Sequence, residues 1–303
     1  MKYASYDLHI HTQWSYDAFT TLQEVFSLGR QHNIKALAIT DHHLMDAYSE
    51  IDSVADRFQD VGYFAGAELT VHSPLGSFDM VCLGLPVIPD QGIRNVLAMY
   101  RQWQQDYGAA LSENLCRLGY PFDNAARLSL LKSYRPEKAI AKQGITHVKF
   151  EILFQKIFDM GAEDDGNGIP EVFRHFQNMP DYPEYDKVIP AIKAAGAVVL
   201  IAHPYEYFNH LEPKRMDEMR EMLDFDGIEC AHPSIPPETS KILREYCIKK
   251  KLLSSGGSDM HQAAPVRTNT RITEFARHCG EELWLDELLE RCPLYHGKQG
   301  FKY

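Results

Sequence analysis

The sequence predicts an α/β barrel that a helical insertion interrupts. Strand-like and helix-like segments alternate over residues 1–89 and again over 188–303, whereas residues 90–187 are polar and helix-like. Strand–helix repetition is typical of parallel strands joined by right-handed crossovers, and this many units favours closure into a barrel. We therefore expect two parts: a barrel built from 1–89 and 188–303, and an insertion or cap built from 90–187.

The elements of the first part follow from their apolar patterns. Its two helices have apolar residues at helical spacing, and Thr20 or Thr21 is a suitable cap for the first. The predicted helices are TLQEVFSLGRQHN and MDAYSEIDSVADRF. Its strands are short apolar runs, the last two joined by the turn residues SPLGS. The predicted strands are YDLHIHT, KALAITDHH, GYFAGAELTVH and GSFDMVCLGL.

The elements of the insertion and of residues 188–303 also follow from their apolar patterns. The clearest helix of the insertion is QGIRNVLAMYRQWQQDYGAALSENLCRLG, and the Pro-rich loop NMPDYPEYD closes the insertion. Strands and helices then alternate again. The predicted helices are KVIPAIKAAGA, EPKRMDEMREMLD and PETSKILREYCIKKK, and the predicted strands are VVLIAHP, GIECAHP and LLSSGGSDMH.

The composition is that of a soluble globular protein with a substantial core. Of the 303 residues, 45% are hydrophobic and 24% charged, and no segment approaches the roughly 20 apolar residues of a membrane span. The N-terminus has no signal-peptide pattern, and the six cysteines show no C-x-x-C spacing, which predicts reduced thiols and a cytoplasmic location. The net charge of −11 disfavours nucleic acid as a partner beyond nucleotides or short oligonucleotides.

Residues suited to metal binding stand at the ends of the predicted strands. In a parallel barrel, the carboxyl ends of all strands face one mouth. Side chains alternate along a strand, so His9 and His11 point to the same side, as do Asp259 and His261. The full set is His9, His11, Asp41, His42, His43, Glu68, His72, Asp79, His203, His232, Asp259 and His261.

This concentration of ionisable groups predicts a metal site. One histidine at a strand end is more often a hydrogen-bonded core residue than a ligand, but here at least six strand ends offer His, Asp or Glu. Their desolvation would be costly without divalent cations. There are more candidate ligands than one zinc ion needs, which favours two or three ions. Mixed nitrogen and oxygen ligands without cysteine fit catalytic Zn, Mn or Fe rather than a structural zinc.

The ordered motifs DLHIHT, SYD, AITDHH, GAELTV, IAHP, GIE and GGSDMH resemble those of the polymerase-and-histidinol-phosphatase (PHP) family of metal-dependent phosphoesterases. The resemblance covers residues 5–85 and 187–265, and an insertion at this place is similar to that of small nucleotide-phosphatase members. It implies a distorted, TIM-like (β/α)7 barrel with three metal ions. Hydrolysis would then proceed by in-line attack of a metal-bound hydroxide on phosphorus.

The resemblance also implies how the ligands are divided. Glu68 would bridge the first ion and the second. The first ion would be bound by His9, His11, Glu68 and Asp259; the second by Glu68, His203 and Asp79; the third by Asp17, His42 and His261. The family usually has a histidine where this chain has Asp79, and His72 is the rival candidate for that position.

Further residues are candidates for catalysis and substrate binding beside the metal ions. Asp41 would orient a histidine ligand or the attacking water. His232 or Asp41 would protonate the leaving group, or a second metal ion would serve as the acid by stabilising its charge. Arg135, Lys142 or His147 of the insertion would reach the phosphate or the leaving group. Arg267 is another candidate for binding an anion. The alternative for the basic residues of the insertion is a solvated helix face.

The predicted function is hydrolysis of a small phosphate monoester, with a nucleotide among the candidates, in the cytoplasm. Histidinol phosphate is the alternative substrate, and Tyr205, Glu206 and Tyr207 would then contact its cationic part. A metallohydrolase of C–N bonds and a non-catalytic scaffold that has kept the site are two further alternatives. Chain length and net charge disfavour a polymerase-associated nuclease.

Overall fold

Seven strands form one sheet in the order of the chain. The computed structural model describes residues 3–205, 207–208, 211–264 and 274–297, to which all structural statements apply. The strands are β1 (Tyr6–Ile10), β2 (Ala36–Ile39), β3 (Gly62–Ser73), β4 (Gly76–Leu83), β5 (Val198–Ile201), β6 (Gly227–Ala231) and β7 (Leu253–Gly256). The predicted α/β class and the seven strands are confirmed.

The two edges of the sheet meet without a continuous ladder. The backbone N–H of His11 donates to Met260, and that of Asp259 donates to His9, each over 2.9 Å. Just before them, buried Asp7 accepts hydrogen bonds from the backbone N–H groups of Ser258 and Ala276. These contacts bring the residues that follow β7 against β1.

One strand runs against the other six. The β1–β2–β3 and β5–β6–β7 pairs are parallel, but β4 is antiparallel to both neighbours, so the expectation of parallel strands throughout is wrong. The reason is the short turn at Pro74 and Leu75, since a parallel connection needs a crossover of a dozen or more residues. Gly76 has φ of 116°, which glycine adopts at little cost. As a consequence Asp79, near the start of β4, pairs with Thr70 at the same mouth as the carboxyl ends of the other strands.

Ten α-helices surround the sheet or form the segment between β4 and β5. They are α1 (Leu22–Gln31), α2 (Ile51–Ala55), α3 (Gln91–Arg117), α4 (Asn124–Tyr134), α5 (Glu137–Gln143), α6 (Phe150–Asp159), α7 (Tyr185–Ala194), α8 (Pro213–Leu223), α9 (Pro237–Lys250) and α10 (Glu282–Leu289). Thr21 caps α1 as predicted, accepting from the N–H of Glu24 while the Glu24 carboxylate accepts from Thr21. The second predicted helix is instead a 3-10 turn at Asp46–Ser49 followed by the short α2.

The apolar core has separate parts in the sheet and in the segment between β4 and β5. A large cluster joins the sheet to its helices, and a smaller one packs α10 against the sheet. A third cluster lies within the segment itself and includes Leu111, Leu115, Phe122, Leu131 and Leu153. Helices α3–α6 therefore have an apolar core of their own. The domain boundaries at 90 and 187 stay a prediction. No described helix is both long and apolar enough to span a membrane.

Candidate metal centre

Buried Glu68 lies at the centre of a cluster of four histidines. Its side chain on β3 is 1% exposed, and its Oε2 lies 3.1 Å from His9 Nε2, 3.3 Å from His11 Nε2 and 3.0 Å from His42 Nδ1. Its Oε1 lies 3.1 Å from His203 Nε2. Burial raises the pKa of Glu68, but the nearby His9 and His42 outweigh burial and hold it well below the usual range. The carboxylate is therefore ionised and shared by four imidazoles.

The first group of donors joins the end of β1 to the residues after β7. Asp259 Oδ1 lies 3.5 Å from His9 Nε2 and 3.1 Å from His11 Nε2. Ligand atoms of His9, His11, Glu68 and Asp259 all lie within 4.8 Å of one another. The two histidines face the same carboxylates because their spacing matches the strand period.

The second group contains two carboxylates and one imidazole. Ligand atoms of Glu68, Asp79 and His203 lie within 4.8 Å of one another. Asp79 Oδ1 accepts a 2.5 Å hydrogen bond from Thr70, and Oδ2 accepts a 2.6 Å bond from the Tyr207 hydroxyl, so neighbours orient this carboxylate. His72, the rival candidate, lies 3.5 Å from Ser77 and outside this group.

The third group lies beside the loop that follows β1. Ligand atoms of His11, His42 and His261 lie within 4.8 Å of one another. Asp17 joins them, with Oδ2 3.4 Å from His42 Nε2 and 3.1 Å from His261 Nε2. Burial raises the pKa of Asp17, but His261 and His42 hold it well below the usual range. The structure thus brings together all nine residues predicted to bind metal.

Unsatisfied polar atoms indicate what this cluster can bind. Several buried atoms of these candidate ligands have no hydrogen-bond partner of suitable geometry among the described residues: His9 Nε2, both ring nitrogens of His11, Asp17 Oδ1, Glu68 Oε2 and Asp259 Oδ1. A buried polar atom without a partner costs about 1–3 kcal/mol, so a group of them is unfavourable unless something else satisfies them. Imidazole and carboxylate donors together suit divalent Zn, Mn or Fe. The donor set fits a cluster of such cations.

Glu229 is a buried member of the site to which the sequence analysis assigned no role, although it is the last residue of the motif GIE. Its Oε1 lies 3.1 Å from His9 Nδ1, and its Oε2 accepts a 2.8 Å hydrogen bond from the backbone N–H of His203. A proton on Nδ1 of His9, shared with Glu229, leaves Nε2 available to a cation. The available signal was an acidic residue inside the otherwise apolar strand GIECA.

The two residues predicted to act in catalysis lie at different depths. Both oxygens of buried Asp41 accept from Thr12, over 2.6 Å from its backbone N–H and 2.8 Å from its hydroxyl. Burial raises the pKa of Asp41 to about 7. His232 Nε2 lies 3.6 Å from Asp259 Oδ2, and Nδ1 is 2.7 Å from the Ser234 hydroxyl. The structure therefore places Asp41 against the loop that follows β1 and His232 beside Asp259; their catalytic roles stay predictions.

Two of the three residues predicted to contact the substrate, Arg135 and His147, lie among the described residues. Arg135 is buried, and its Nη2 donates to the Trp14 carbonyl over 2.8 Å and to Gln143 over 2.7 Å. His147 is buried with its ring 4.1 Å from that of Tyr16, and burial lowers its pKa to about 3, so it is neutral near pH 7. Arg267 and Glu206 lie outside the described residues.

Comparison with known proteins finds similarity to metal-dependent phosphoesterases, in agreement with a metal centre at this site. Residues 7–153 match the sequence profile of the PHP domain. Phosphoribosyl 1,2-cyclic phosphate 1,2-diphosphodiesterase of Eggerthella lenta is 21% identical over 266 residues, which are 84% of this chain and 93% of that protein. Two solved structures share the fold.

The first solved structure, from Bifidobacterium adolescentis, is of a protein proposed to be a metal-dependent phosphoesterase. It has a TM-score of 0.73 and 21% identity, and the match covers 95% of this chain and 96% of that one. The second is an amidohydrolase from Chromobacterium violaceum with bound sulfate. It has a TM-score of 0.73 and 18% identity, with 98% and 99% of the two chains covered.

Proposed function

We propose that this chain is a metal-dependent phosphoesterase of the PHP domain family and that its substrate is a small phosphate monoester. The observation that carries the proposal is the convergence of buried, unsatisfied imidazole and carboxylate atoms around Glu68. Two or three divalent ions would satisfy these atoms. Zn, Mn and Fe are the candidates.

The three groups of donors define the proposed ion sites. Bound ions would neutralise charge on the phosphoryl oxygens and lower the pKa of the attacking water. Glu68 takes part in the first two sites, and Glu229 orients His9 for the first. The proposed sites are His9, His11, Glu68 and Asp259; Glu68, Asp79 and His203; and Asp17, His42 and His261.

Residues around these sites would complete the reaction. His232, which lies beside Asp259, would protonate the leaving group, and Asp41 would support the loop that carries Asp17 through its bonds to Thr12. Arg135, His147 and Arg267 remain the proposed substrate contacts, with residues 90–187 as a cap. We propose that this takes place in the cytoplasm.

Aromatic rings beside the third site support a nucleotide as one substrate. The Tyr16 ring lies 5.5 Å from that of His42 and 4.1 Å from that of His147. Trp103 stacks on Tyr182 at 4.2 Å and lies 5.4 Å from His147. Base–aromatic stacking stabilises bound nucleotides regardless of the base.

A screen of purified protein tests the proposed function. Metal content per chain is measured first, then phosphate release from nucleotides, sugar phosphates and histidinol phosphate with added Mn or Zn. Because the Eggerthella relative is a phosphodiesterase by name, a 1,2-cyclic sugar phosphate is included, and an amide panel tests C–N hydrolysis. Less than one ion per chain together with no phosphate release would refute the proposal and favour a scaffold.

Replacing Asp79 with histidine should shift metal preference. Imidazole is a softer ligand than carboxylate, so we expect Asp79→His to bind as many ions but to favour Zn over Mn by about 10-fold more than the wild type. Competitive titration with both metals, read by elemental analysis, measures the shift. Asp52→His, at an exposed position of α2, is the control. An unchanged ratio would show that Asp79 does not bind an ion.

A further inference from the structure

Asp17 reaches the metal centre from a loop, unlike the other proposed ligands. The remaining ligands lie on a strand or within five residues of its end, whereas Asp17 lies in the middle of the loop between β1 and α1. Its carboxylate position therefore depends on what holds that loop. Residues 12–18 are called the Asp17 loop below.

Residues that follow strands of the sheet hold one edge of the Asp17 loop. Thr12 donates twice to Asp41, and the backbone N–H of Ser15 donates to the Thr12 carbonyl over 2.8 Å. The backbone N–H of His42 in turn donates to the Ser15 hydroxyl over 3.1 Å. Just past the loop, the N–H of Phe19 donates to the His261 carbonyl over 2.8 Å.

The segment between β4 and β5 holds the other edge. Arg135 Nη2 and Gln143 Nε2 both donate to the Trp14 carbonyl, over 2.8 Å and 3.1 Å. Lys149 Nζ donates to the Asp17 carbonyl over 3.0 Å. Side chains of the segment thus bind the loop by hydrogen bonds to two backbone carbonyls. One of these carbonyls belongs to Asp17, the proposed ligand.

Ion pairing does not explain why these two cations are buried. Arg135 forms no ion pair with any described residue, and Lys149 has a single one, 3.8 Å long, to Glu151, whose side chain is 65% exposed. Burying a charge is unfavourable unless it is well hydrogen-bonded. Lys149 and Arg135 both donate to backbone carbonyls of the Asp17 loop, and these hydrogen bonds offset part of the cost of burying the two cations.

We propose that Lys149 and Arg135 are positioning residues for the ion at Asp17, His42 and His261, because they hold the backbone that presents Asp17. This inference rests on the proposed metal-dependent function. It makes the helical segment a structural part of the third ion site as well as a cap. Neither cation needs to touch the substrate for this role.

Lys149→Met tests the inference, since it removes the ammonium and keeps an unbranched apolar chain. We expect the variant to bind the third ion about 10–100-fold more weakly, so that one ion per chain is lost at limiting metal. In metal-free protein, amide hydrogen exchange should be faster in residues 12–18 than in wild type. Lys149→Arg should behave like wild type, and so should Lys156→Met, which removes an exposed lysine of α6.

The possible outcomes separate this inference from the proposed function. The positioning role would be overturned, and the proposed function left standing, if Lys149→Met changed neither the ion content, nor the ion affinity, nor the amide hydrogen exchange of the Asp17 loop. A raised KM with unchanged ion content would make Lys149 a substrate contact and would also overturn it. A wild type that binds less than one ion per chain would refute the proposed function itself. If methionine prevents folding, Lys149→Gln gives the same comparison with a milder change.

Discussion

Replacing Glu68 with glutamine should lower kcat/KM for phosphate release by about 10³-fold or more. Glutamine keeps the volume of the side chain but removes the negative charge that four histidines share within 3.3 Å. Charge stabilisation by bound metal is worth several kcal/mol, and about 4 kcal/mol corresponds to about 10³-fold in rate. Because Glu68 belongs to two of the proposed sites, the variant should also lose at least one ion per chain.

Steady-state kinetics on the best substrate of the screen, together with elemental analysis, measures both effects. Glu245→Gln makes the same chemical change at an exposed position of α9 and should leave both unchanged. A Glu68→Gln protein that keeps its ions and most of its activity would contradict the central place of this carboxylate.

Removing the metal ions should destabilise the protein strongly. Each ion present at 100 times its Kd contributes about 2.7 kcal/mol to the free energy of unfolding. For a chain of 303 residues, with an unfolding entropy of about 2.1 cal/mol/K per residue, that amount raises Tm by about 4 °C per ion. Chelation followed by thermal unfolding measures the loss, and adding back Mn or Zn should reverse it. A Tm that chelation does not change would show that the ions are absent or do not stabilise the fold.

The gap in Tm between metal-loaded and metal-free protein should widen as pH rises. In metal-free protein, burial lowers the pKa of His203, but the hydrogen bond and charge of Glu68 outweigh burial and raise it to about 9. Because this pKa is raised in the folded state, protonated His203 stabilises the folded protein fully at pH values below the ordinary histidine pKa. This contribution is lost as pH rises through about 9. Protons also compete less with metal at higher pH.

Thermal unfolding with and without chelator at several pH values from about 6.5 to 9 checks this direction. His203→Gln should flatten the pH dependence of the metal-free protein, because it removes one of the groups that titrate. A gap that narrows with rising pH would contradict the assignment of these histidines as ligands.

The sequence by itself determined the α/β class and the residues that meet at the site. His9 and His11 could be placed on one side of a strand because alternation is a local property of strand geometry. The ligands on other elements could be listed because the carboxyl ends of parallel strands share one mouth. For these residues, position along the chain was enough to predict position in space, and their convergence around Glu68 agrees with the prediction.

Only the tertiary structure decided the contacts that join distant parts of the chain. The reversal of β4 brings Asp79 rather than His72 to Glu68 and His203. Glu229 contacts His9 from 220 residues away, and Lys149 contacts Asp17 from 132 residues away. No local sequence pattern predicts such contacts, because they depend on which surfaces pack together after the strands have paired. For this reason the sequence predicted the candidate ligands, and the structure revealed Glu229 and Lys149, which contact two of them.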